Sequence, residues 1–140
     1  MTLEISNSQL KVSFEPKGGL ITLLDQRSGR AFRQFAANPF AVAEDCQVDP
    51  AGWAINARLV VKTIRPALLD LRIVLEPDQP EVTVEIAEVG EVGTTVRYPQ
   101  PFLTDRDTWL VLAMEEGLVF PVADPTSTPP KEIVMYSGHL

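Results

Sequence analysis

The chain has 140 residues, of which 45% are hydrophobic and 22% charged, and its formal net charge at pH 7 is -7. This length suits one domain with a core of its own, and the composition argues against a wholly disordered chain. The acidic balance disfavours nucleic acid and anionic membrane surfaces as partners, because both attract clustered Lys and Arg. We interpret the acidity as a contribution to solubility.

The N-terminal part of the chain predicts a β-meander. A short strand at Leu3–Ser6 precedes an alternating apolar pattern over Leu10–Glu15, and strands are predicted at 19–25 and 30–35. Gly-rich and Asp/Ser/Gly sequences separate them. Such alternation is typical of strands with one buried face, and those residues are usual in turns. We expect this meander to open a β-sandwich.

The middle of the chain predicts a short strand around residues 40–43, loops at 44–45 and 49–52, and strands at 58–64, 69–76 and 81–88. In the last of these, Val and Ile alternate with Glu and Thr. That alternation is typical of an antiparallel strand with one solvated face.

The C-terminal part predicts strands at 94–98, 109–114, 118–122 and 133–136, with a Pro-rich loop over 124–131. Because 109–114 is apolar throughout, we expect it to be buried, with Trp109 in the core. About ten short strands separated by turns predict an all-β fold, an antiparallel two-sheet β-sandwich with little helix, over 1–140 as a single domain. The apolar C-terminal end suggests the N-terminal fragment of a longer multidomain protein.

Cysteine usage and apolar patterning bear on the compartment. Cys46 is the sole cysteine, so an internal disulfide is excluded. No apolar run reaches the roughly 20 residues of a membrane span. The first ten residues also lack the basic and apolar regions of a signal peptide. Cytoplasmic and exported locations both stay open.

A search for catalytic residues identifies none. The single imidazole, His139, lies next to the chain end, where the backbone is expected to fray. One His and one Cys leave no transition-metal ligand set, no acidic loop has calcium-binding spacing, and no cofactor is implied. Glu115 and Glu116 would point to opposite faces of a strand. Asp105 and Asp107 could share a face, but Asp in a polar loop more often stabilises a turn.

Aromatic residues offer a platform for a sugar, whose apolar face stacks on rings. Trp53 follows a loop sequence and is the best candidate for exposure, although a lid on the core is the alternative interpretation. Tyr98 is a second candidate. The candidate carbohydrate-binding residues are therefore Trp53, Tyr98, Asp105 and Asp107, with no catalytic residue and no metal ligand.

Several short strand and turn patterns occur along most of the chain. They are Leu10-x-Val12-x-Phe14, Gly19-x-Ile21-x-x-Leu24-Asp25, Ser28-Gly29-Arg30, Tyr98-Pro99-Gln100-Pro101, the WLVLAMEEGLVFP segment from Trp109 to Pro121, and the closing MYSGHL. Together they resemble the galactose-mutarotase-like β-sandwich domains that stand at the N-terminus of large glycoside hydrolases.

This resemblance implies a non-catalytic N-terminal domain of a carbohydrate-active enzyme, a glycoside hydrolase. Its expected partner is a catalytic (β/α)₈ barrel of the same parent chain, which it would scaffold and whose substrate rim it could shape. A glycan is the other expected partner. Mutarotase activity is not implied, because this sequence lacks the paired histidines that mutarotases use. Glycosidase activity is not implied either, because the family's catalytic carboxylates lie in the barrel.

Two other functions stay open at this point. The chain could be a stand-alone carbohydrate-binding module with Trp53 and Tyr98 stacking on sugar. It could also be an adhesion or assembly β-sandwich that associates through a strand edge or an apolar patch.

Overall fold

The computed structural model describes residues 1–35, 41–62, 67–89, 98–112 and 118–123. Within these ranges all regular structure is β-strand, and the expectation of an all-β fold is confirmed. The chain divides into two compact units, Met1–Leu103 and Thr104–Leu140.

The first sheet is an antiparallel meander in the order β1-β2-β3-β4. Its strands are β1 (Leu3–Ser6), β2 (Leu10–Glu15), β3 (Leu20–Asp25) and β4 (Arg30–Arg33). The predicted N-terminal meander is confirmed, with β4 ending earlier than the predicted residue 35. Beyond β4, Gln34 forms an isolated antiparallel bridge with Phe102.

The second sheet is another antiparallel meander, in the order β5-β6-β7-β8. Its strands are β5 (Ala41–Val48), β6 (Ala54–Val61), β7 (Ala67–Leu75) and β8 (Val82–Val89). The predicted loop at 44–45 is wrong, because β5 continues through it, whereas the loop at 49–52 follows β5 as predicted. A register shift between Glu44 and Gln47 absorbs extra residues there, and Asp45 takes a positive φ of 50°. Such a bulge breaks the alternation that identifies a strand.

One apolar core lies between these two sheets, which gives the first unit its β-sandwich character. Alternate side chains of each sheet point inward, and β1 lies against β5 and β6. The first sheet contributes Leu3, Ile5, Val12, Phe14 and Ile21. The second contributes Ala41, Ile55, Ala57, Leu59, Val61, Ala67, Leu69, Leu71, Ile73 and Leu75. Their burial is the main stabilising term, at roughly 25 cal/mol per Å² of apolar surface.

Two polar contacts tie distant segments of the first unit together. The Asn7 side chain, in the β1–β2 turn, donates from Nδ2 to the carbonyl oxygens of Glu76 and Gln79, which follow β7. The Tyr98 hydroxyl donates to the carbonyl oxygen of Gly19 over 3.0 Å. Both contacts satisfy backbone acceptors that strand pairing leaves unused.

The second unit contains a hairpin of β9 (Trp109–Leu112) and β10 (Leu118–Pro121). The predicted burial of Trp109 is wrong, because its side chain is 59% exposed. Trp109 and Val119 share one face by the strand register, and both are exposed.

Some predicted elements lie outside the described residues. They are most of the strand at 94–98, the end of the strand predicted at 109–114, the loop over 124–131, the strand at 133–136, and His139. The total number of strands therefore stays a prediction.

Candidate functional site

Trp53 lies in the turn between β5 and β6 and is half-buried. One carboxylate organises this turn, since Asp49 Oδ1 accepts hydrogen bonds from the backbone N–H groups of Trp53 at 2.8 Å and Ala54 at 2.9 Å. The bond from Ala54, followed by the bond from Trp53, lowers the pKa of Asp49. The turn is thus held as one unit, and Trp53 is fixed at the start of β6.

Tyr98 occupies a different environment. Its ring is half-buried and packs against the apolar core, while its hydroxyl is bonded to Gly19. Burial raises the pKa of the Tyr98 hydroxyl above its ordinary value of 10.0. A ring held in this way has less free surface for stacking on a sugar than an exposed tyrosine has.

Trp53 and Tyr98 contact different segments of the first unit. Trp53 directly precedes β6, whereas Tyr98 bonds to Gly19, and a Cβ built on Gly19 would lie 3.5 Å from Leu59 Cδ2, six residues beyond Trp53 in the chain. A shared role for these two aromatic residues in sugar binding stays a prediction.

Asp105 and Asp107 belong to the second unit, in a turn just before β9. Asp105 Oδ1 accepts hydrogen bonds from the hydroxyl of Thr108 at 2.7 Å and from the backbone N–H of Asp107 at 3.1 Å. These are turn-stabilising contacts of the kind that Asp commonly makes in loops. A role for either residue in sugar binding stays a prediction.

Sequence analysis did not identify the polar surface formed by the outer face of the second sheet. Strand register places Gln47, Asn56, Arg72 and Glu85 opposite one another in a continuous row across β5, β6, β7 and β8. The adjacent outward-facing row is Glu44, Arg58, Asp70 and Ala87. The alternation of β7 and β8 was a signal for outward polar residues, but their alignment depends on strand pairing that sequence does not reveal.

Ion pairs hold the two arginines of these rows, together with Asp70 and Glu85. Arg72 Nη1 lies 3.3 Å from Glu85 Oε2. Arg58 Nε lies 3.2 Å from Asp70 Oδ1, and Arg58 Nη1 lies 3.8 Å from Asp45 Oδ2 across the bulge of β5. All of these side chains are substantially exposed, so the pairs contribute little to stability, typically 0–1 kcal/mol each. Their main effect is to orient the guanidinium and carboxylate planes.

These rows surround an open depression of about 450 Å³, which we call the β5–β8 depression. Its lining consists of Asp45, Gln47, Asn56, Ala57, Arg58, Asp70, Leu71, Arg72, Glu85, Ile86 and Ala87. It contains hydrogen-bond donors and acceptors but no aromatic residue. Chemically, it can bind a polar ligand by hydrogen bonds.

In the described part of the chain, no group of three or more His, Cys, Asp or Glu residues could hold a metal ion. No helix in those ranges combines the length and apolarity needed to cross a membrane. Burial, followed by the Asp45 carboxylate, raises the pKa of the Cys46 thiol. That shift disfavours the reactive thiolate.

Comparison of the chain with protein-family models, with curated proteins and with solved structures finds no match.

Proposed function

We propose that this chain is a non-catalytic β-sandwich domain of a carbohydrate-active enzyme, in which it scaffolds a catalytic barrel of the same parent polypeptide. The proposal combines the sequence resemblance to galactose-mutarotase-like domains with the two-sheet, all-β architecture. Both are compatible with a supporting rather than a catalytic role.

The observation that carries the proposal is the exposed apolar face of the β9–β10 hairpin. Trp109 is 59% exposed and Val119 is 55% exposed, on the same face of two paired strands. Exposed aromatic residues of this kind are typical of surfaces that another protein domain covers, because burying a tryptophan provides a large apolar gain. We assign this face to the contact with the barrel.

The proposal is tested first by the coding DNA that follows the codon for Leu140. We expect an open reading frame of several hundred residues with alternating strand and helix patterns, as a (β/α)₈ barrel requires. A stop codon directly after Leu140 would overturn the scaffold function.

The second test measures the exposure of Trp109 in the longer polypeptide. Trp53→Phe leaves Trp109 as the sole tryptophan of the 140-residue chain, which has 2. In the longer polypeptide, any tryptophan after residue 140 is replaced by Phe as well. We expect acrylamide to quench Trp109 strongly in the 140-residue chain and weakly in the longer polypeptide. Val119→Asp should restore quenching there, whereas Thr83→Asp, on the exposed face of β8, should not. Equal quenching in both polypeptides would refute a docking role for this face.

A stand-alone carbohydrate-binding module is the second candidate, favoured by the polar lining of the β5–β8 depression. If Trp53 contributes to such a module, soluble glycans should shift the tryptophan fluorescence and Trp53→Ala should abolish the shift. Concentration-dependent self-association without a glycan response would instead favour an assembly function.

A further inference from the structure

We propose that the β5–β8 depression binds a neutral, hydroxyl-rich carbohydrate. This inference deepens the proposed function and rests on it for the choice of sugars as probes. The surface itself lies on a sheet of the first unit and shares no residue with the β9–β10 hairpin.

The first reason is the type of hydrogen-bonding groups that meet there. Gln47 and Asn56 are cross-strand neighbours, and each amide supplies both donors and an acceptor. Arg72 and Glu85 continue the same row with a donor fork and a carboxylate, held 3.3 Å apart. Sugar hydroxyl groups both donate and accept, and neighbouring hydroxyls match planar, two-pronged side chains. A row of such groups in fixed order can therefore recognise one sugar ring after another.

The second reason is that the arginines are already paired with carboxylates. The depression is lined by two cations, Arg58 and Arg72, and three anions, Asp45, Asp70 and Glu85. Each arginine lies in an ion pair with at least one of these carboxylates. An anionic ligand such as a phosphate or a uronate would have to compete with them, and a cation would compete with the arginines. A neutral ligand can use both partners of each pair.

The third reason is the shape of the depression. Its volume of about 450 Å³ lies within the 300–1,000 Å³ range of small-molecule sites. Ala87 lies opposite Asp70 in the register, and its small side chain keeps the β8 end of that row open. Ile86 pairs with the core residue Leu71, so it belongs to the inner face of the sheet and not to the outward rows. The depression thus offers polar walls with little bulk at the β8 end.

The test is a titration of ¹⁵N-labelled 140-residue chain with maltohexaose, cellohexaose and xylohexaose, followed by amide chemical shifts. An acidic hexamer of galacturonate serves as the anionic comparison. We expect at least one neutral hexasaccharide to shift the amides of Asn56, Arg58 and Arg72 saturably. Arg72→Gln combined with Glu85→Gln should weaken that binding at least tenfold.

The matched control is Lys11→Gln combined with Glu4→Gln, which removes an exposed ion pair of 2.7 Å from the first sheet. It should leave binding unchanged. The proposal is overturned if no neutral hexasaccharide binds, if only the galacturonate hexamer binds, or if both double variants lose binding equally. A shift confined to Trp53 would also overturn it, in favour of a site at the β5–β6 turn. None of these outcomes affects the quenching test of Trp109, so the two proposals fail separately.

Discussion

Asn7 Nδ2 lies 2.7 Å from the carbonyl oxygen of Glu76, although 69 residues separate them in the chain. The same amide nitrogen also donates to Gln79, while Asn7 Oδ1 accepts from the backbone N–H groups of Gln9 and Leu10. One side chain therefore shapes the β1–β2 turn of the first sheet and fastens it to the end of the second. The relative position of the two sheets depends on this contact as well as on apolar packing.

Replacing Asn7 should cost more stability than its partly exposed position suggests. We expect Asn7→Ala to lower the free energy of unfolding by about 2 kcal/mol, since each hydrogen bond contributes roughly 0.5–1.5 kcal/mol. Asn7→Asp retains the acceptor for the turn but loses both donors to the second sheet, so its loss should be intermediate. Urea denaturation measures both. Ser13→Ala, which removes one side-chain bond to Glu4 within the first sheet, is the control. If Asn7→Asp were as stable as the wild type, the bonds between the sheets would have no role in stability.

Gly19 should tolerate a side chain less well than Gly29. Both have a positive φ, 65° and 71°, so alanine at either costs roughly 1–2 kcal/mol of backbone strain. A Cβ at Gly19 would also lie 3.3 Å from the Cβ of Ala41, whereas nothing lies within 4 Å of one at Gly29. We expect Gly19→Ala to be the more destabilising in urea denaturation. Equal losses would mean that the first sheet shifts to make room.

The Tyr98 hydroxyl should make stability fall at high pH. Burial raises its pKa above the ordinary 10.0, so the folded state retains a proton that the unfolded state loses. The stabilisation is complete below pH 10 and declines as the pH rises beyond it. Tyr98→Phe removes this decline and also the bond to Gly19, at a cost of about 1 kcal/mol near neutral pH. The free energies of unfolding of the wild type and of Tyr98→Phe, measured between pH 8 and 12, should converge as the pH rises. A constant difference between the two proteins would contradict the raised pKa.

Asp49 should make the stability of the folded state fall at low pH. Hydrogen bonds from Ala54 and Trp53 lower its pKa below the ordinary 3.8. Its stabilisation is therefore present above pH 3.8 and is lost as the pH falls through the lowered value. We expect Asp49→Asn to reduce the acid sensitivity of thermal unfolding, whereas Asp78→Asn, in an exposed turn, should retain it. An unchanged acid profile in Asp49→Asn would show that another carboxyl group dominates.

Local sequence patterns predicted much of the fold because the core strands are amphipathic. The meander of β2 and β3 could be predicted since Val12 and Phe14 alternate with polar residues, Ile21 belongs to a short apolar run, and a turn sequence separates the two strands. The bulge of β5 could not, because Glu44 and Asp45 are consecutive polar residues, a pattern that also fits a loop. Trp109 was predicted to be buried because an entirely apolar run gives no information on which face is covered.

The candidate surface was harder to predict than the fold. Asn56, Arg72 and Glu85 lie on different strands, and only their register brings them into one row. Sequence analysis instead selected Trp53 and Tyr98 for their aromatic chemistry. The environment of Tyr98, including its bond to Gly19, follows from contacts 79 residues apart in the chain. No local pattern carries that information.

The meander topology has a consequence for the order of folding. Every described strand pairs only with a neighbour in sequence, so each sheet can grow hairpin by hairpin with short loops to close. The contacts of long range are those between the sheets, and we expect them to form after the rate-limiting step. Asn7→Asp should then accelerate unfolding in stopped-flow experiments while leaving the refolding rate nearly unchanged. If the whole loss of stability appears instead as slower refolding, the contacts between the sheets form before or during the rate-limiting step.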